Sequence, residues 1–135
     1  MIKKTAEEII EIILQNFDSY SSANNNWHEI NEIPEILKTN KEFNELNDSF
    51  DYKWKSNHKL SSMILEALGL GEVEEVYQEG GDSSSGEYWE SVKYFKEHDV
   101  YLKWFGKYTS YSGHYFDDDY ITEVKPIEKK IIVYE

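Results

Sequence analysis

The chain has 135 residues, with 27 acidic side chains against 14 basic ones, a net charge of −13 and no cysteine. That length suits one domain around a single core, and the missing cysteines exclude disulfides, thiolate metal sites and cysteine nucleophiles. All 14 basic residues are lysine; without the guanidinium fork that fits phosphates and base edges, direct nucleic-acid binding and anionic membranes are disfavoured, and the expected partner is a basic protein.

The Ile-rich start is interrupted by Glu7, Glu8 and Glu11, unlike a signal peptide, and no apolar run approaches the roughly 18 residues needed to span a bilayer, so a cytoplasmic location is expected. Thr5-Ala6-Glu7-Glu8 matches a capping box, in which a Thr hydroxyl and a Glu carboxylate satisfy amides of the first helical turn. A helix follows, with Ala6, Ile9, Ile10, Ile13, Leu14 and Phe17 on one stripe and Ile12 off it. Asp18 to Asn26, rich in Ser and Asn and without periodicity, is expected to be a loop.

Trp27 to Asn47 is helical but interrupted by Pro34, which fits best as the first residue of a helix. Ile36, Leu37 and Phe43 then share a face, and Thr39-x-x-Glu42 offers a second cap, so one helix or two short ones are both open. Phe50, Tyr52 and Trp54 alternate with charged residues, as in a strand or an extended linker. Leu60, Met63, Ile64, Ala67 and Leu68 restore helical spacing, and Gly69-Leu70 fits a left-handed helix end with its apolar contact.

After Gly71 the pattern becomes β-like, with a first strand around Val73, Val76 and Tyr77. Gly80 to Gly86 is Gly- and Ser-rich but lacks the Lys-Ser/Thr ending of a phosphate loop, and is expected to be a flexible connector. Glu87 to Gly106 then forms a hairpin around Lys96-Glu97-His98-Asp99. Of its two possible registers, a three-residue turn Lys96-Glu97-His98 is preferred. It sets Tyr94 opposite Val100 and Val92 opposite Leu102, with Val92, Tyr94, Val100, Leu102 and Trp104 on one face and Lys93, Phe95, Tyr101, Lys103 and Phe105 on the other. Lys107 to Tyr120 is an aromatic loop ending in Asp117-Asp118-Asp119, and Ile121 to Val124 and Lys130 to Tyr134 are strand candidates. The expected fold is α+β in one domain: helices over residues 1–70, packed against an antiparallel sheet of about four strands over residues 71–135.

No residue set reaches the specificity of a catalytic signature. His98-Asp99 sits in a turn, where adjacent side chains diverge. His114 with Asp117, Asp118 and Asp119 meets no metal-ligand spacing rule, so no metal or cofactor is expected. The candidate partner-binding residues are the acidic rows Glu72 with Glu74, and Glu75 with Glu79 further along, on a strand whose successive same-face residues lie roughly 6.7 Å apart. With them go the loop aromatics Tyr111, Tyr115 and Phe116 and the run Asp117, Asp118, Asp119.

From Tyr88 to Glu135, through YFKEHDVYLKWFG, the Tyr-Ser-Gly loop with its acidic end from Tyr111 to Asp119, and EVKPIEKKIIVYE, the sequence resembles small uncharacterised proteins of phages and prophages of Gram-positive bacteria. Small acidic phage proteins include anti-CRISPR and anti-restriction inhibitors, some presenting carboxylates where a nuclease expects phosphates. The resemblance therefore implies a non-enzymatic inhibitor that occupies a basic nucleic-acid groove of a host defence protein. A small hydrolase using His98, His114 and the Asp run, or a phage accessory protein that assembles with itself, are the alternatives.

Overall fold

The computed structural model describes residues 2–49, 58–80, 87–109, 113–115, 120–128 and 132–134. Helix α1 (Ala6–Asn16) opens on the expected capping box: Thr5 Oγ1 accepts the Glu8 amide at 3.2 Å and Glu8 Oε1 accepts the Thr5 amide at 3.1 Å. Ala6, Ile9 and Ile13 are buried, followed by Phe17, and Ile10 and Ile12 pack against them. Leu14 instead faces solvent, so the buried arc is turned toward Ile12 relative to the expected stripe.

The stretch expected to be a loop contains a short helix, α2 (Ser19–Ala23), with Asp18 capping it by accepting the Ser21 amide at 2.8 Å. Tertiary contacts explain its formation: Ser22 Oγ accepts the Trp104 indole N–H at 3.1 Å, and the Ala23 carbonyl accepts a bond from Lys93. Beyond Pro34 there are two short helices, α3 (Glu35–Lys38) and α4 (Lys41–Ser49). Asn40 rather than Thr39 starts the second, its side chain accepting the Phe43 amide at 2.9 Å. Leu37 and Phe43 are buried, but Ile36 is 72% exposed and does not share their face. The alternating stretch Phe50 to Lys55 lies outside the described residues.

Helix α5 (His58–Ala67) ends as expected. Gly69 is left-handed (φ 76°), its amide bonds to the Glu66 carbonyl, and the Leu70 amide reaches back to Leu65, with Leu70 fully buried.

Five antiparallel strands follow among the described residues: β1 (Val73–Gly80), β2 (Glu87–Phe95), β3 (Val100–Thr109), β4 (Gly113–Tyr115) and β5 (Ile121–Val124). The order is β1-β2-β3, with β5 beside Tyr101–Trp104 and β4 beside Lys107–Thr109 on the far edge of β3. Part of the expected 107–120 loop is therefore strand. The fold is α+β, with helices in the first half and sheet in the second, and one core cluster runs from Ala6 through Leu60 and Trp89 to Ile121. Residues 132–134 have no regular structure, so that part of the expected last strand is not formed; residues 129–131 and the connector 81–86 lie outside the described residues.

The hairpin register differs from the expected one. The turn has four residues, Lys96 to Asp99, with Asp99 left-handed at φ 53°, and Phe95 pairs with Val100, Tyr94 with Tyr101, Lys93 with Leu102 and Val92 with Lys103. Val100, Leu102 and Trp104 face the core as expected, but across from them lie Trp89, Ser91, Lys93 and Phe95 rather than Val92 and Tyr94. Burying Trp89 and Phe95 removes more apolar surface from water than burying Val92 and Tyr94 would. An αL residue suits Asp, whose short polar side chain tolerates it.

Candidate functional site

Facing Lys93 toward the helices requires a partner for each of its three N–H bonds. Its side chain is 0% exposed, and Nζ donates to the Ala23 carbonyl at 3.0 Å and to Ser91 Oγ at 2.9 Å, with Glu75 Oε1 at 3.4 Å. Ser91 Oγ donates in turn to Glu75 at 2.6 Å, and Nζ lies 5.0 Å from the centroid of the Trp104 ring. Burial pushes the Lys93 ammonium down to about 8, with Glu75 pulling the other way. Trp104 is stacked on Phe95 and meets Trp27 edge-on at 6.4 Å; Trp27 meets Phe17 in the same way at 5.1 Å.

Glu75 is therefore a structural carboxylate, and it does not form a row with Glu79. The β1–β2 register shifts between Glu75 and Tyr77, a bulge that leaves Glu75 opposite Lys93 and Glu79 opposite Glu90. Glu72 and Glu74 do converge: Lys96 Nζ lies 3.2 Å from one and 3.6 Å from the other, and their pull raises the Lys96 pKa. Glu79 accepts the Tyr77 hydroxyl, which holds that phenol's pKa up to about 12. Glu90 is paired with Lys103 at 2.7 Å, which lowers its pKa. Glu72, just before β1, and Glu74, Glu75 and Glu79 on it are exposed residues, and the strand pairs only with β2 among the described residues.

At the start of this edge lies a cavity of about 630 Å³ between α5, β1 and the hairpin turn. Glu72 and Glu75 reach it, joined by Glu66 and Glu97, over an apolar wall that includes Trp27 and Leu65. Gly71 shapes this wall: it is buried at φ 69°, and a Cβ there would overlap the Glu97 carboxylate. The sequence reading missed Glu66, Glu97 and Lys93. The shared parity of Trp89, Lys93 and Phe95 in β2 was the available signal for the lysine; nothing local marks the two glutamates.

His98 is 4% exposed and fully engaged. Its Nδ1 accepts the Lys4 amide and its Nε2–H donates to the Gly69 carbonyl, both at 2.9 Å, which fixes the neutral tautomer and ties the hairpin turn to the start of α1 and the end of α5. Tyr111, Phe116, Asp117, Asp118 and Asp119 lie outside the described residues; His114 and Tyr115 are placed in β4 by their pairing with Tyr108 and Lys107. Exposed aromatic surface is found instead on the sheet face away from the helices, where Tyr77 and Tyr88 are exposed and Tyr94 stacks on Tyr101 at 4.3 Å. Among the described residues no group of three His, Asp or Glu side chains could hold a metal, and no helix is long and apolar enough to cross a membrane. Comparison with known protein families, curated proteins and solved structures returned no match for this chain.

Proposed function

We propose that this protein is a non-enzymatic, phage-encoded inhibitor of the anti-CRISPR or anti-restriction type, acting in the host cytoplasm by occupying the basic nucleic-acid groove of a defence protein. The observation that carries this reading is the outer edge of β1, unpaired among the described residues, with Glu72, Glu74 and Glu79 exposed along it, in a chain of net charge −13. Lys96 offsets Glu72 and Glu74, but it is a surface lysine whose ion pairs are screened by solvent, so a basic partner can displace it at little cost. The engagement of both His98 nitrogens supports binding over a hydrolase built on that residue. Capture from the bacterial host, with identification of the bound protein, tests the reading. The captured protein should bind nucleic acid and lose it when this protein is added; a captured protein that holds both at once contradicts groove blocking.

A second reading, assembly with copies of itself, is favoured by one feature. Ile127, Ile132, Val133 and Tyr134 are 74–91% exposed, beyond a sheet whose β1 edge is unpaired among the described residues. Sedimentation of the full chain separates the two: a stable oligomer lost with Ile132→Lys and Val133→Lys favours assembly.

A further inference from the structure

Ser61 lines the wall of the acidic cavity, 7% exposed, and its Oγ has no hydrogen-bond partner among the described residues. A buried hydroxyl left unsatisfied costs free energy that a ligand can recover. Of the four carboxylates around the cavity, Glu75 is held by Lys93 and Glu72 by Lys96, whereas Glu66 and Glu97 form no ion pair among the described residues. The cavity thus combines two uncompensated negative charges, an idle hydroxyl and an apolar wall at Trp27 and Leu65. Its volume falls within the roughly 300–1,000 Å³ of small-molecule sites.

We propose that this cavity binds an organic cation, an alkylguanidinium or alkylammonium group, with Glu66 and Glu97 as its counter-charges, the Ser61 hydroxyl as a hydrogen-bond partner and the Trp27 wall against its alkyl stem. The negative rim repels anions. A flat guanidinium carries five donors and an ammonium three, enough to engage two carboxylates and a hydroxyl together. The group could come from a free small amine or from a side chain of a bound protein. The site goes beyond the groove-blocking reading and does not depend on it.

Titration of the full-length protein with agmatine, and separately with a short neutral-flanked arginine peptide, tests the site by calorimetry and by NMR of the Trp27 indole N–H and the Ser61 amide. Saturable one-to-one binding that shifts both signals is expected. Glu66→Gln with Glu97→Gln should weaken it by about tenfold or more, as loss of charge-assisted bonds does, and Ser61→Ala should weaken it less. Equal affinity for the two probes marks a free small cation as the occupant, and tighter binding of the peptide marks an arginine side chain. Absence of saturation with both probes, shifts only elsewhere on the protein, or undiminished binding by the double variant overturns the site. No macromolecular partner is present in this experiment, so its failure leaves groove blocking standing, and failure of groove blocking leaves the cavity untouched.

Discussion

Lys93 stands directly opposite Leu102 in the β2–β3 pairing, and both side chains are fully buried on the helix-covered face. That pairing decides which half of the hairpin makes the core. Leu102→Ala and Phe95→Ala should each cost about 2 to 5 kcal/mol in denaturant unfolding, as buried large-to-small changes do. Val92→Ala, on the opposite face, should cost about 1 kcal/mol or less. The reverse ranking of Phe95 and Val92 would mean that β2 is turned over.

The pH dependence of stability isolates the lysine. In the unfolded chain Lys93 keeps its proton up to the ordinary lysine value of 10.5, whereas the folded protein releases it above about 8. Between those values the unfolded state binds more protons, so stability rises with pH; this contribution is complete above 10.5 and is lost as pH falls through about 8. Above about pH 10 the tyrosines reverse the trend, because Tyr77, Tyr88, Tyr94 and Tyr120 hold their protons longer when folded. Chemical unfolding should therefore show a gain of about 1 kcal/mol between pH 8 and 9, before the tyrosines begin to titrate, absent from Lys93→Met. A flat profile in the wild type would place the ammonium in contact with water.

What the sequence revealed follows the range of the interactions involved. The Thr5 capping box and the Gly69-Leu70 helix end depend on neighbours within six residues, and both were legible. Helix α2 was not, because Ser22 and Ala23 are held by Trp104 and Lys93, 82 and 70 positions away. The register was missed because it turns on burying a lysine, which composition argues against, and which Ala23, Ser91 and Glu75 make tolerable only in three dimensions. The acidic edge was visible as Glu72, Glu74, Glu75 and Glu79, but the bulge that separates Glu75 from Glu79 was not. Glu66 and Glu97 become neighbours of that edge only through the packing of α5 and the turn.

His98 serves as a clasp. His98→Ala leaves the Lys4 amide and the Gly69 carbonyl without their partner, and should cost about 2 to 6 kcal/mol in thermal or chemical unfolding, from about one to three per orphaned group. It should also raise amide exchange at Lys4 and in the Lys96 to Asp99 turn. An unchanged stability would mean that the turn is held by other contacts.

The most direct test of the acidic edge is the association rate of the captured partner at low and high salt, for the wild type and for a variant with Glu72, Glu74 and Glu79 changed to Gln. Glu75 is left intact because it partners the buried Lys93. Steered association slows as salt screens exposed charges over about 8 Å at physiological ionic strength. The wild type should associate more slowly at high salt, the variant should be slow at both, and dissociation should change little. Equal association by both proteins, indifferent to salt, would contradict it.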